Sequence, residues 1–201
     1  MIHNDVLRRL RYALSINDTA AIGIFKLANY DMEFGYLHAI MKKEDEEGYL
    51  PCRDKLISLF LDGLIIKNRG AREGEAPKML KAKERLSNNE VMRKIRIAMS
   101  YKDDDMIHLL KLADFRISKS EFSAFFRKPD HRNYKPAGDQ VLRNLLQGMV
   151  KKYRSESSKK GAEPKPTAKP KPKSKQKTAA QNNDQKPSSN GDKKSVWGKL
   201  S

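Results

Sequence analysis

Apolar residues in this chain recur at helical spacing, and no segment alternates them with polar residues as a half-buried strand would. In the first 70 residues the pattern predicts four helices. The first is expected to start at Asn4 as an N-cap, the second at Asn17 or Asp18 and the third at Asp31. The fourth is expected to begin after Pro51 and to end at Gly70. Later in the chain the same pattern predicts helices near 89–100, 103–113, 118–127 and 138–154. The fold class is therefore all-α.

The two sets of helices are copies of one another. Shifting the sequence by 85 positions aligns residues 4–69 with 89–154 without a gap, and identical pairs run along the whole span, among them Arg8/Arg93, Arg11/Arg96, Ser15/Ser100, Asp18/Asp103, Pro51/Pro136 and Gly63/Gly148. This predicts two tandem four-helix modules of the same fold, at 1–70 and 89–154. Because each module is small, we expect either packing through the apolar fourth helices or two independent beads.

Outside the repeats the composition predicts little order. Residues 71–88 resemble a linker, and residues 155–192 form a disordered tail rich in lysine and proline. Residues 193–201 contain the single tryptophan of the chain. Val196, Trp197 and Leu200 are candidate anchors of a peptide that docks into an unidentified protein, and the alternative is that Trp197 folds back onto the helices.

Charge separates the two repeats more sharply than hydrophobicity does. The net charge of +17 lies almost wholly in the second half, because residues 1–70 are neutral by count, residues 89–154 carry +7 and residues 155–201 carry +8. The lone cysteine, Cys52, excludes an intramolecular disulfide, and no apolar stretch approaches the roughly 18 residues that a membrane helix needs. We therefore expect a soluble, cytoplasmic protein without a membrane partner.

Several motifs resemble those of one bacterial family. They are the helix starts Asn-Asp-Val-Leu-Arg at 4–8 and Asn-Glu-Val-Met-Arg at 89–93, the acidic Lys-Lys-Glu-Asp-Glu-Glu-Gly at 42–48, the basic Arg-Lys-Pro-Asp-His-Arg-Asn-Tyr at 127–134, and Gly-Asp-Gln-Val-Leu-Arg at 138–143. Together they resemble the YehS-like bacterial family, a duplicated domain of unknown function, over about residues 1–154. The resemblance implies a bacterial, cytosolic, tandem helical protein and supplies no activity or site residues.

The sequence carries no catalytic or metal-binding motif. Its four histidines lie far apart, Cys52 stands alone, and there is no glycine-rich phosphate loop or nucleophile elbow. We therefore expect a protein that is not an enzyme and holds no cofactor or metal.

Basic residues after the helix predicted near 118–127 suggest that the protein binds nucleic acid. Arg127, Lys128, Arg132 and Lys135 would contact phosphates, while Tyr134 could stack on an unpaired base. Lysines of the tail, in particular Lys169, Lys171, Lys173 and Lys175, could add phosphate contacts by counterion release. The alternative is that this charge only keeps the protein in solution.

A helix-turn-helix outline gives a second possibility. Residues 103–113 and the helix capped by Ser118 are joined by a short turn, which would place Lys119 near a major groove, although any compact helical bundle contains such a pair. The leading hypothesis is therefore a non-catalytic adaptor that binds RNA or other nucleic acid through the second module and the tail. The alternatives are a protein-interaction module without nucleic-acid binding and a helix-turn-helix-like DNA-binding regulator.

The loop equivalent to the basic one is acidic in the first module. Glu44, Asp45, Glu46 and Glu47 align with Pro129, Asp130, His131 and Arg132. Either the two copies present different binding surfaces, or solvated charges drifted after the duplication.

Overall fold

The computed structural model describes residues 1–71, 80 and 84–160, and all regular secondary structure within them is helical. Repeat one, residues 1–70, contains α1 (His3–Ala13), α2 (Asp18–Leu27), α3 (Phe34–Met41) and α4 (Asp54–Arg69). Repeat two, residues 89–154, is built from α5 (Asn88–Ala98), α6 (Asp103–Leu112), α7 (Lys119–Ala124) and α8 (Asp139–Lys160). The predicted all-α class and the tandem four-helix plan are confirmed.

Several helix ends follow from capping residues in the sequence. The side chain of Asn17 accepts a hydrogen bond from the Ala20 amide at 2.8 Å and starts α2. Ser118 accepts one from the Glu121 amide at 3.3 Å and starts α7. Gly70, at a φ of +87°, ends α4 and donates its amide to the Ile66 carbonyl at 2.8 Å. These three predictions are confirmed because each cap satisfies helix-end groups that would otherwise lack a partner.

Other predicted ends were wrong for identifiable reasons. Asn4 is not an N-cap: it lies inside α1, is buried, and uses its side chain across the fold. Asp31 does not start α3, which begins after Glu33 without a side-chain cap. The helix predicted to reach 127 ends at Ala124, whose carbonyl accepts the Lys135 amide at 3.2 Å. The helix predicted to end at 154 continues to Lys160, because residues 155–160 contain no glycine or proline that would stop it.

The two repeats contact each other through their first and fourth helices. α1 of repeat one packs against α8 of repeat two, and α5 of repeat two packs against α4 of repeat one. The first helix of each copy therefore lies on the fourth helix of the other, as in a two-fold symmetric dimer joined into one chain. The described residues of the two repeats form one compact unit with a common apolar core, so they are not two independent beads.

Inside each repeat, the second and fourth helices approach closely at a glycine. α2 packs on α4 at Gly63, and α6 packs on α8 at Gly148. A Cβ atom at either position would overlap a backbone carbonyl, that of Ile24 or that of Leu109. Glycine is required here because a helix backbone occupies the space that any side chain would need.

Candidate nucleic-acid interface

A buried asparagine holds the basic loop of repeat two in place. The Asn89 side-chain amide donates to the carbonyls of Phe125 and Lys135 at 2.8 and 2.9 Å, and its oxygen accepts the Ala137 amide at 2.8 Å. Both ends of the loop are thereby tied to α5. The residues between them project from a defined frame.

This loop brings three of the predicted phosphate-binding residues together. Arg127, Tyr134 and Lys135 line a shallow concavity of about 430 Å³ beside α7. Lys128 and Arg132 are exposed in the same loop, so all five predicted side chains belong to one short surface segment. Tyr134 is half-buried and lines the concavity.

One carboxylate shares this concavity. Glu121 accepts hydrogen bonds from the hydroxyl and the amide of Ser118 at 2.7 and 3.1 Å, and these bonds lower the pKa of Glu121. The carboxylate therefore stays ionised at neutral pH. An approaching phosphate must lie nearer to the cations of the loop than to the start of α7.

Lys119 interacts with α6 and not with the residues of the basic loop. Its ammonium group pairs with Asp104 at 3.1 Å, and α6 begins with three consecutive aspartates at 103–105. α7 is six residues long, fewer than two turns. A helix of this length beside an acidic helix start offers little to a major groove, so the geometry favours the loop over Lys119.

The remaining predicted contacts lie outside the described residues. They are Lys169, Lys171, Lys173 and Lys175 of the tail and Val196, Trp197 and Leu200 of the terminal segment.

The equivalent loop of repeat one is held in the same way but carries the opposite charge. Asn4 donates to the carbonyls of Ile40 and Leu50 at 2.8 and 2.9 Å and accepts the Cys52 amide at 2.9 Å. Glu44, Asp45, Glu46 and Glu47 are exposed in this loop. Two loops of one shape thus present acidic and basic surfaces.

Repeat one also has a groove that the sequence did not single out. This repeat-one groove, about 600 Å³, lies where α1 ends, α2 begins and α3 ends, with the last turns of α8 beside it. Four cations line it, Arg8, Arg11, Lys42 and Arg154, against two carboxylates, Asp18 and Glu46. The signal that could have found it is the retention of arginine at three of these positions in the other copy, as Arg93, Arg96 and Arg69.

The inner carboxylate of the repeat-one groove is neutralised locally. Asp18 pairs with Arg11 and also accepts from His38 Nε2 at 3.0 Å. The hydrogen bond from Arg11 lowers the pKa of the Asp18 carboxyl most, and the hydrogen bond from His38 lowers it further. Arg11 is itself buried and donates a further bond to the Ile16 carbonyl at 3.3 Å.

Chemically reactive side chains are not concentrated in either concavity. Cys52 is buried, and burial raises its pKa to about 12, so it remains a protonated thiol. Two histidines pair with single aspartates, His3 with Asp54 and His38 with Asp18. Among residues 1–71, 80 and 84–160, no three His, Cys, Asp or Glu side chains converge as metal ligands would.

A family of duplicated sequences accounts for both repeats. The model of a family described as a protein of unknown function, DUF1456, matches residues 3–70 and again 88–155. The chain belongs to the DUF1456 family. The uncharacterized protein YehS of Escherichia coli (strain K12) is 40% identical to it over 150 residues, which cover 75% of this chain and 95% of that protein. No solved structure matches the chain.

The DUF1456 match separates the two groups of candidate contacts. Arg127, Lys128, Arg132, Tyr134 and Lys135 lie within the second matched segment, and the tail lysines lie outside it. The part of this DUF1456 protein that the structure describes also contains no helix with the length and apolar character of a membrane span.

Proposed function

We propose that this protein is a non-catalytic adaptor that binds the phosphate backbone of RNA or other nucleic acid through the basic loop of repeat two, residues 127–135. The observation that carries the proposal is the grouping of Arg127, Tyr134 and Lys135 around one concavity, with Lys128 and Arg132 exposed beside it. Arginine and lysine neutralise phosphates and release counterions, and a tyrosine ring can stack on an unpaired base.

The duplication supports this choice of surface. The corresponding loop of repeat one has the same anchoring asparagine and an excess of carboxylates, so it would repel a polyanion. Within one chain, the structure provides a basic loop and its acidic counterpart on equivalent frames. The basic tail would add non-specific contacts, since residues 155–201 contain twelve lysines and four acidic residues.

The loop sequence carries no hydrogen-bonding pattern that selects particular bases. We therefore expect binding that depends strongly on salt and weakly on sequence, with single-stranded RNA favoured over duplex DNA because Tyr134 can stack only on an exposed base.

Fluorescence anisotropy with single-stranded RNA, structured RNA and duplex DNA at 50 and 200 mM salt tests the proposal. Replacing Arg127, Lys128, Arg132 and Lys135 together by glutamine should weaken binding at least about tenfold and flatten the salt dependence.

The matched control removes the same charge elsewhere. Lys26, Lys43, Lys55 and Lys67 are exposed in repeat one, and replacing these four by glutamine changes the net charge equally. Equal losses for the two variants, or no salt-sensitive binding by the unmodified protein, would rule out the basic loop as the binding surface.

A chain ending at residue 163, which retains the compact unit, separates the contribution of the tail. If the loop is the main surface, this shorter chain should still bind more tightly than its own four-glutamine variant at 127, 128, 132 and 135.

A further inference from the structure

The repeat-one groove combines positive charge with apolar surface, and phosphate-backbone binding by repeat two does not use it. Its cations stand beside three side chains with large apolar parts, Tyr12, Ile16 and Met41. The groove has a volume of about 600 Å³ and is open to solvent, as the concavity beside α7 is. A site with both features suits a ligand with an anionic end and a flat or apolar body.

The cations of the groove are held in position by other contacts. The Arg8 guanidinium donates to the Lys42 carbonyl at 2.7 Å and to Asp5 at 2.8 Å. The Arg154 guanidinium lies 4.1 Å from the centre of the Tyr12 ring and donates Nε to the Tyr12 carbonyl at 2.8 Å. Both side chains are ordered before any ligand arrives, which lowers the entropic cost of binding.

Electrostatic balance in the groove favours an anion. The groove is lined by Arg8, Arg11, Lys42 and Arg154 against Asp18 and Glu46. Asp5 also pairs with Arg8, so three carboxylates stand against four cations and a net positive charge remains. Glu46 is exposed in the loop, where water screens it. Arginine binds phosphate well because its planar donors match two phosphate oxygens at once.

Repeat two retains basic residues at the positions equivalent to the cations of this groove but differs at the positions of its apolar residues. Its four equivalent positions are all arginine, namely Arg93, Arg96, Arg127 and Arg69. The floor residues Ile16 and Met41 are replaced by Tyr101 and Phe126, and the Arg96 guanidinium lies 5.1 Å from the centre of the Phe126 ring. The third apolar residue of the groove, Tyr12, is replaced by the smaller Ile97, so the apolar lining differs between the repeats at all three positions.

We infer that the repeat-one groove binds a nucleoside phosphate. Its phosphate would lie among Arg8, Lys42 and Arg154, and its base would rest on Ile16, Met41 and the edge of the Tyr12 ring. This groove is separate from the basic loop of repeat two. A single nucleotide is enough to occupy it.

Nuclear magnetic resonance titration of the full chain with the four ribonucleoside monophosphates tests the inference. At least one should give saturable shifts at the backbone amides of Tyr12, Ile16 and His38. The same nucleoside without phosphate, and inorganic phosphate alone, should each bind at least about tenfold more weakly, because each supplies only half of the ligand. Non-saturable shifts, shifts centred on repeat two, or equal binding of inorganic phosphate would overturn it.

Matched variants locate the site independently of the spectra. Arg154→Gln should weaken nucleotide binding about tenfold or more, whereas Arg69→Gln should leave it unchanged. Arg69 is a fair control because it donates to the Ile97 carbonyl at 3.4 Å, as Arg154 does to that of Tyr12, but does not line the groove. Equal affinity for the two variants would refute the assignment.

A second variant keeps the test decisive if Arg154→Gln does not fold. Met41→Phe introduces the ring that repeat two carries and should reduce nucleotide affinity by filling the groove, while Phe126→Met should leave it unchanged. Thermal melting of each variant verifies folding. RNA binding measured on the same samples should persist in Arg154→Gln, so failure of the nucleotide site and failure of the basic loop give different results.

Discussion

In repeat one the buried Asn4 ties α1 to the carbonyls of Ile40 and Leu50, and in repeat two Asn89 makes the corresponding bonds to Phe125 and Lys135. The loops that these asparagines hold differ in charge, from Glu44–Glu47 in one copy to Arg127–Lys135 in the other. The asparagines that anchor the loops and the glycines that allow close helix packing are the same in both copies. Positions that face solvent have changed, which is why the surfaces and not the frame separate the two repeats.

The interfaces between the repeats do not follow this division, because a mostly buried polar pair has changed there. Lys94 of α5 pairs with Asp62 of α4 and donates to Ser58 at 3.1 Å, with both charged side chains about 85% buried. At the equivalent place, Arg9 of α1 donates to the neutral Gln147 of α8 at 3.3 Å. Related helix pairs therefore meet through an ion pair on one side and a neutral hydrogen bond on the other.

The largest effect should come from the shared close approach. Replacing Gly63 or Gly148 by alanine should destabilise the protein by about 3 kcal/mol, since the added Cβ meets a carbonyl oxygen that cannot move without its helix. Urea denaturation measures the loss, and the two variants should behave alike. Gly23→Ala is the control: nothing lies within 4 Å of a Cβ there, and the helix should gain about 0.5–1 kcal/mol. If all three variants unfold at one midpoint, the close approach does not limit stability.

The next effect should come from the loop anchors. Asn4→Ala or Asn89→Ala should cost about 2–3 kcal/mol, because carbonyls in the loop lose their donors while remaining buried. Chemical denaturation should show similar losses in both copies. Asn17→Ala, which removes an exposed helix cap, should cost only about 1 kcal/mol. A smaller loss at Asn4 than at Asn17 would show that the loops hold without their anchors.

A difference between the copies should appear at the ion pair. Lys94→Met should cost about 1–2 kcal/mol because it leaves Asp62 charged in a mostly buried site. Arg9→Met, at the equivalent position, should change stability by no more than about 0.5 kcal/mol. Unfolding free energies of both variants in one buffer test this, and equal losses would mean that the two interfaces are energetically alike.

The smallest effect should be an acid-dependent one at Asp18 of repeat one. The pKa of Asp18 is lowered in the folded protein by Arg11 and then His38, so its contribution to stability is present above the ordinary aspartate pKa and lost as pH falls through the lowered value. Asp18→Asn should therefore be less stable than the unmodified protein at pH 7. The gap should narrow below about pH 4. Denaturation from pH 7 to 2.5 checks it, and a gap independent of pH would show that the carboxylate charge contributes nothing.

The sequence allowed much of the local structure to be predicted, because helix periodicity and capping depend on near neighbours. Asn17, Ser118 and Gly70 were placed correctly for that reason. Asn4 was assigned to a cap because asparagine often occupies one, whereas its partners lie 36 and 46 residues further along the chain. α7 is shorter than predicted for a similar reason. The carbonyl of its last residue, Ala124, accepts a hydrogen bond from the amide of Lys135 at the other end of the loop.

The candidate sites were predictable to different degrees. The basic loop is continuous in sequence, so Arg127, Tyr134 and Lys135 could be grouped before their concavity was seen. The repeat-one groove draws Arg8, Lys42 and Arg154 from three distant helices or their ends, and only the exchange of helices between the repeats brings Arg154 to Tyr12.

The sequence alone determined that this chain is a duplicated all-α protein with charge concentrated in its second half, because repeats, periodicity and charge are properties of residue order. The tertiary structure alone decided that the first helix of each repeat packs on the fourth helix of the other, and that a groove forms where they meet. The physical reason is that the helices have apolar faces able to pack on several partners. The choice among them depends on contacts between residues far apart in the chain, such as Lys94 with Asp62 and Arg154 with Tyr12.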